Sequence, residues 1–224
     1  MKTNTSERAL SSKEGRPIML REHLYVQIRQ DIIKLRFAPG EALIESELAQ
    51  LFETSKTPIR EALTSLQRDN LVEYKPNKGF TVAPISIRDI HEIFDTRVIL
   101  ECAVFRLAVQ HITDEKINKL EKILEVTYDS NNPATLQPYM QANVDFHMEI
   151  ALTAQNSRLC RYYDNLLGES QRLLYMDVKY HNIVSIWRIS HERIINALKQ
   201  RDAEAGAKEI EEIEANARKR FLNS

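Results

Sequence analysis

Between Leu24 and Ile33 the apolar residues Leu24, Tyr25, Ile28, Ile32 and Ile33 recur at three- and four-residue spacing. That is one face of a helix, and it ends before the turn pair Pro39-Gly40. Leu48, Ala49, Leu51 and Phe52 mark a second, short helix, with Ser46 and Glu47 supplying acceptors and negative charge at its start. Thr54 and Ser55 break it. A third helix opens at Thr57, with Pro58 where a missing N–H costs nothing, and runs through Ile59, Ala62, Leu63 and Leu66. Leu71 to Lys75, the turn Pro76-Asn77-Lys78-Gly79 and Phe80 to Ala83 then read as strand, turn, strand. Scaffold helix, two short helices and hairpin together predict a winged helix-turn-helix domain.

Beyond Ala83-Pro-Ile-Ser86, a short linker, the pattern changes. Ser86 and Asp89 form a capping-box-like start for a long helix reaching about His111. Ile117, Leu120, Ile123 and Leu124 continue a helical period in a segment capped by Thr113, and Asn131-Asn-Pro133 ends the connection after it. Further helices are predicted over about 133–154, 157–179, 183–200 and 203–221, with Asn156 and Asp202 as caps. Five glycines are too few for a sheet-rich domain. The expectation is a mostly α protein: a tail over 1–19, a winged helix-turn-helix with a small β-hairpin wing over 20–84, and an all-α antiparallel bundle of about six helices over 85–224.

With 224 residues the chain has room for two domains, and 43% hydrophobic with 28% charged residues is a soluble composition. No apolar run approaches a bilayer span, and the Ser/Thr/Lys-rich start lacks the apolar core of a signal peptide, so a cytoplasmic protein is expected. Cys102 and Cys160 stand in no metal or redox spacing and read as reduced thiols. Residues 1–84 carry 13 basic and 11 acidic side chains, the remainder 18 and 21. A tilt that small agrees with nucleic acid at the N-terminal part without identifying it.

The candidate chemistry lies on the polar side of the third helix. Ser55, Lys56, Thr57, Arg60 and Gln67 are short hydroxyls and long donors that reach phosphates and base edges, and Lys78-Gly79 puts a cation beside a residue that lets backbone approach a duplex closely. The bland alternative is a helical hairpin whose charges are merely solvated.

At these residues the sequence resembles the N-terminal domain of the GntR family of bacterial transcription regulators. The likeness runs over about 20–84 and is strongest in Ser55-Lys-Thr-Pro-Ile-Arg-Glu-Ala-Leu63, followed by Leu71-Val and Gly79-Phe. The family usually has arginine at Ser46 and Lys56, both groove or phosphate contacts. Serine lacks that reach, and lysine keeps the charge but not the bidentate fork. The second half is similar to the FCD ligand-sensing domain of the FadR subfamily, in Arg97-x-x-x-Glu101, Asn143-x-x-Phe146-His147, Asn156-Ser-Arg-Leu159 and His191-Glu-Arg-Ile194 with Arg201-Asp-Ala-Glu-Ala205. Many FCD domains hold a divalent metal with an Asp, a His four residues on and two later histidines. The corresponding positions here are Asn143, His147, His191 and Ile213, so the resemblance implies an incomplete ligand set.

Three readings of this second site compete. His147, His191 and Asn143 bind a small effector with Arg97 as a carboxylate clamp; or water or effector completes a weak metal site; or both histidines are ordinary core residues and Arg97 pairs internally with a carboxylate such as Glu101, four residues on. The first is favoured, with no cofactor assigned. Tyr139, Phe146 and Trp187 read as core more than ligand cage, and His181 as loop more than pocket mouth. Arg172 and Arg188 read as solvated, as does the acidic run Glu209, Glu211, Glu212 and Glu214. The function expected from the resemblance is a homodimeric repressor that binds a palindromic double-stranded DNA operator and responds to a small carboxylate. The alternatives are an effector-blind dimeric regulator and a metalloenzyme using His147 and His191 with Asp145 or Glu149; no HExxH, nucleophile elbow or phosphate loop supports the latter.

Overall fold

The computed structural model describes residues 15–129, 131–181 and 184–222, with side chains described except at 15–18 and 179–186. They divide into two compact units between Pro84 and Ile85.

The first unit holds α1 (Gly15–Ile33), β1 (Ala42–Leu43), α2 (Glu45–Leu51), α3 (Lys56–Arg68), β2 (Val72–Lys75) and β3 (Gly79–Val82). α1 begins inside the stretch expected to be tail, because Pro17 falls in its first turn, where its missing N–H has no intrahelical partner to lose. The rest of that expected tail, 1–14, lies outside the described residues. The sheet is antiparallel in the order β1-β3-β2. The hairpin pairs Val72 with Val82 and Lys75 with Gly79, and its turn uses left-handed backbone at Asn77 (φ 65°) and Gly79 (φ 76°). β1 adds a third strand that the hairpin expectation missed; two residues offer no alternation to read.

Ser46 does not cap α2. Ile44 precedes that helix without a side-chain bond, and Glu53 ends it in left-handed backbone at φ 50°. Leu24, Ile28 and Ile32 of α1 close on Ile59, Leu63 and Leu66 of α3, with Leu71 and Val82 completing a core excluded from water. The Tyr25 hydroxyl donates to Asp69 at 2.7 Å. One helix thus fixes the roll of α3, and with it which side α3 shows to solvent.

The second unit is helical among the described residues: α4 (Ile87–His111), α5 (Asp114–Ile123), a 3-10 turn at Pro133–Thr135, α6 (Leu136–Thr153), α7 (Ser157–His181), α8 (Val184–Gln200) and α9 (Ala203–Leu222). The helix starts follow local chemistry. Ser86 and Asp89 form a reciprocal capping box on α4, and Thr113, Asn156 and Asp202 each accept a backbone N–H of the helix they precede. His181 ends α7 rather than lying in a loop; its side chain, and Ile183, where α8 was expected to begin, lie outside the described residues. No described helix is long and apolar enough to cross a membrane. Phe105, Leu120, Phe146, Tyr163 and Leu198 form the centre of the core.

α4 and α9 meet at Gly206. A Cβ there would overlap Cε1 and Cζ of Phe105, a ring with no exposed surface. Gly206→Ala should therefore destabilise, by about 1–3 kcal/mol, although the same change in a free helix would stabilise. At about 2–4 °C per kcal/mol for a chain of this size, differential scanning calorimetry should show a loss of several degrees. A raised melting temperature would mean that the ring yields.

Candidate nucleic-acid interface and ligand site

In the first unit one side of α3 is fully buried, through Ile59, Ala62, Leu63 and Leu66, and the other side is open. Ser55, which caps α3 by backbone alone, and Lys56, Thr57 and Arg60 are exposed, as are Ser46 on α2 and Lys78 at the wing; Gly79 is half-buried. The hydroxyls and the lysine surround the positive end of α3, where free backbone N–H groups also face outward.

Arg60 is not free. Its Nε donates to Glu45 Oε1 at 2.6 Å and its Nη2 to Glu45 Oε2 at 2.8 Å, a two-pronged fork across 15 positions of sequence. The guanidinium bonds hold the Glu45 carboxyl below its ordinary range. Fork and wing enclose a groove of about 610 Å³ that also takes in Thr64, Gln67, Tyr74, Lys78 and Gly79. Tyr74 stands exposed there, edge-on to Phe80 with ring centroids 5.0 Å apart. Sequence reasoning missed Glu45 and Tyr74 as parts of this surface. Glu45 is on another helix from Arg60, so no i to i+4 spacing announces the pair.

The second unit brings Asn143 and His147 of α6 to His191 of α8, all buried. The bonds fix the tautomers. His191 Nδ1 lies 2.6 Å from the carbonyl oxygen of Trp187, so it carries the proton and Nε2 accepts, from Asn143 Nδ2 at 3.3 Å. His147 Nε2 lies 3.4 Å from the same His191 Nε2 and, with its proton there, shares that nitrogen's one lone pair with Asn143, while its Nδ1 accepts from the Tyr163 hydroxyl at 2.9 Å, which also lies beside Glu101. A relay of neutral groups therefore runs Tyr163 to His147 to His191 to Trp187. Burial pushes both histidines down to about 3, with the Arg97 charge adding for His147 and the neighbouring ring of His147 adding for His191.

Arg97 corrects the expected clamp. Its Nε donates to Glu101 at 2.7 Å and its Nη2 lies 2.9 Å from Glu214 of α9, so the guanidinium sits between two buried carboxylates. Burial opposes the charge; the two glutamates more than offset it and hold Arg97 protonated. This is the internal pairing among the three readings, with a second partner. The sequence places Glu214 in a solvated acidic run, but Ala207, Ile210 and Glu214 share the buried face of α9, and it is 1% exposed. Burial raises it to about 8, against the pull of Arg97. Arg172, also expected in solvent, is buried, and desolvation lowers its pKa, with Glu169 and Asp89 working the other way.

The residues do not fit a four-ligand metal site. The Nε2 of His147 carries the proton it shares with His191, Asn143 turns its amide nitrogen rather than its oxygen to that ring, and Ile213 has no donor atom. Glu149 is engaged with Lys119, Asp145 is exposed and accepts from Gln141, and no three His, Cys, Asp or Glu side chains among the described residues come together as metal ligands. Tyr139 and Phe146 are buried as expected of core. They also wall, with Trp187, a cavity of about 410 Å³ on the far side of Asn143 and His191.

Comparison with known proteins agrees with both halves. Residues 20–82 match the bacterial regulatory proteins of the gntR family, and residues 92–215 match the FCD domain. The gluconate operon transcriptional repressor of Bacillus licheniformis is 30% identical over 190 residues, covering 82% of this chain and 77% of its own. The transcriptional repressor RspR of Escherichia coli (strain K12) is 28% identical over 184 residues, 82% of this chain and 81% of its own. The solved structure of E. coli McbR/YncC shares the fold with a TM-score of 0.75 at 22% identity, over 91% of this chain and 95% of that one.

The buried titrations give stability a shaped pH dependence. Glu214 gives up its proton near 4.5 when unfolded and near 8 when folded, so between those values the folded state alone is protonated and stability falls as pH rises. His147 and His191 act oppositely: the unfolded chain takes up protons below about 6.5 that the folded chain refuses down to about 3, so stability rises over that span. Melting temperature should climb towards pH 6.5 and decline from there to pH 8. In Glu214→Gln the upper decline should flatten while the lower limb persists; an unchanged decline would assign it elsewhere.

Proposed function

The chain belongs to the GntR family of bacterial regulators, with an FCD domain after the DNA-binding domain, and from that premise we propose a homodimeric repressor that leaves a palindromic operator when its C-terminal unit binds a small molecule. As a member of that family it is a DNA-binding transcription regulator with a ligand-binding domain, not an enzyme, and the metalloenzyme alternative falls. Two of the relatives are named as repressors, which supports the sign of regulation.

One observation carries the DNA-binding part of the reading. The first turn of α3 presents Ser55, Lys56 and Thr57 to solvent while the opposite side of the same helix is entirely buried. Hydroxyls and outward N–H groups suit phosphates, Lys56 adds charge, and Arg60 stands extended beside the wing, held in position by Glu45. Two copies about a two-fold axis set two such helices on repeated half-sites, which is why a palindrome is expected. The protein works in the cytoplasm, beside the chromosome. The cavity of about 410 Å³ favours a sensing role over an effector-blind dimer. A carboxylate effector was expected on the strength of a free Arg97, and its pairing withdraws that support.

The test uses the full chain and an operator selected from random duplexes. The selected sequence should be an inverted repeat bound by a dimer in sedimentation. Arg60→Ala should weaken binding about 10- to 100-fold, the worth of one good base contact, without altering the dimer. Lys56→Ala should lower the slope of log K on log salt by about 1. Wild-type affinity in Arg60→Ala would turn α3 away from the groove, and failure to retain any duplex at low salt would end the DNA-binding assignment.

A further inference from the structure

The cavity beside His191 is walled by Ile123, Leu124, Tyr139, Phe146 and Trp187. Its walls are aromatic: Tyr139 and Trp187 lie with ring centroids 5.0 Å apart, and Phe146 meets His191 edge-on at 4.4 Å. At its inner end stand Asn143 and His191, and its charged lining residue among the described residues is Arg188.

That inner end bears no positive charge. His191 donates through Nδ1 and accepts through Nε2, which only a neutral imidazole can do. Arg97 does not line the cavity and is matched by Glu101 and Glu214. Arg188 is 56% exposed and already joined to Glu192 at 2.9 Å, so water screens it at the mouth. With one N–H of its amide given to His191, Asn143 keeps its carboxamide oxygen to accept and a second N–H to donate.

We infer that this cavity takes an uncharged ligand, with a planar aromatic body against Tyr139, Phe146 and Trp187 and a hydrogen-bond donor for the Asn143 oxygen. A carboxylate of the same shape would leave water with no buried cation to meet it. The inference rests on the reading of the C-terminal unit as the sensing part, and names the ligand class that reading leaves open.

Matched pairs decide it: benzamide and benzoate, 3-phenylpropanamide and 3-phenylpropanoate, 4-phenylbutanamide and 4-phenylbutanoate, titrated into the full-length protein at pH 7.5. Trp187 is the chain's one tryptophan, so its fluorescence reports the cavity directly, and calorimetry gives affinities. In at least one pair the amide should bind tenfold or more tightly than the acid and shift Trp187 emission. Ala142→Phe, which fills the cavity from α6, should abolish both effects at an unchanged helical circular dichroism. Acids that bind as well as amides, binding that survives Ala142→Phe, or no binding by any member overturns the inference. Operator affinity is measured in parallel. Amide binding that leaves it unchanged sinks the sensing reading but not the ligand class, while operator release by an acid keeps the sensing reading and sinks the class.

Discussion

The C-terminal unit depends on a buried cation and the carboxylates that neutralise it. Arg97 reaches from α4 to Glu101 on its own helix and to Glu214 on α9, and all three are withdrawn from water. Such a group has no cheap exit: removing one partner of a buried pair typically costs about 3–5 kcal/mol, because the other charge stays behind unpaired. The pair therefore fixes the register of α4 against α9 as firmly as Phe105 against Gly206 does. It also commits Arg97, which the sequence offers as a clamp, to partners of its own. A protonated Glu214 leaves the cluster neutral, and an ionised one leaves it negative; in neither state does it attract a carboxylate.

The same economy of charge explains the histidines. Two imidazole nitrogens 3.4 Å apart would repel if both presented lone pairs, and a metal ion or a shared proton can relieve that. Here the Tyr163 hydroxyl at Nδ1 of His147 and the Trp187 carbonyl at Nδ1 of His191 set complementary tautomers, so the two rings satisfy each other. Isoleucine at 213 is consistent with that solution, since a site that is complete without a metal has no use for a further ligand. Burial keeps both rings neutral across the physiological range, which makes them fixed polar fittings rather than pH sensors.

The sequence revealed what local chemistry determines and concealed what distant partners determine. The buried stripe of α3, the capping box at Ser86 and the caps at Thr113, Asn156 and Asp202 rest on spacings of three or four residues, and each was legible. The Arg60 fork, the Glu214 side of the Arg97 cluster and strand β1 rest on contacts across 15, 117 and about 38 positions, and spacing is silent about those. Glu214 was misread for a physical reason. Among Glu209, Glu211, Glu212 and Glu214 the average character is solvated, but helical geometry places only the last beside Ala207 and Ile210, where a partner waits. Asn143, His147 and His191 could be nominated by resemblance, yet their protonation states, and hence what they can bind, needed Tyr163 and Trp187 in place.

These constraints bear on how a ligand could act. An effector shifts an equilibrium only by its differential affinity for the two arrangements, and a hundredfold loss of operator affinity requires about 2.7 kcal/mol of it. Charge is a poor source of that difference in this protein, because Arg97, Glu101 and Glu214 are already balanced and costly to disturb. Packing is a better one. Tyr139 on α6 and Trp187 on α8 touch, with ring centroids 5.0 Å apart, and both wall the cavity, so a ring seated against them bears on two helices that also carry Asn143 and His191. Aromatic contact of that kind is worth about 0.5–1.5 kcal/mol per ring pair beyond the area buried. Two or three such contacts, made in one helix spacing and lost in the other, reach the required difference without moving a single buried charge.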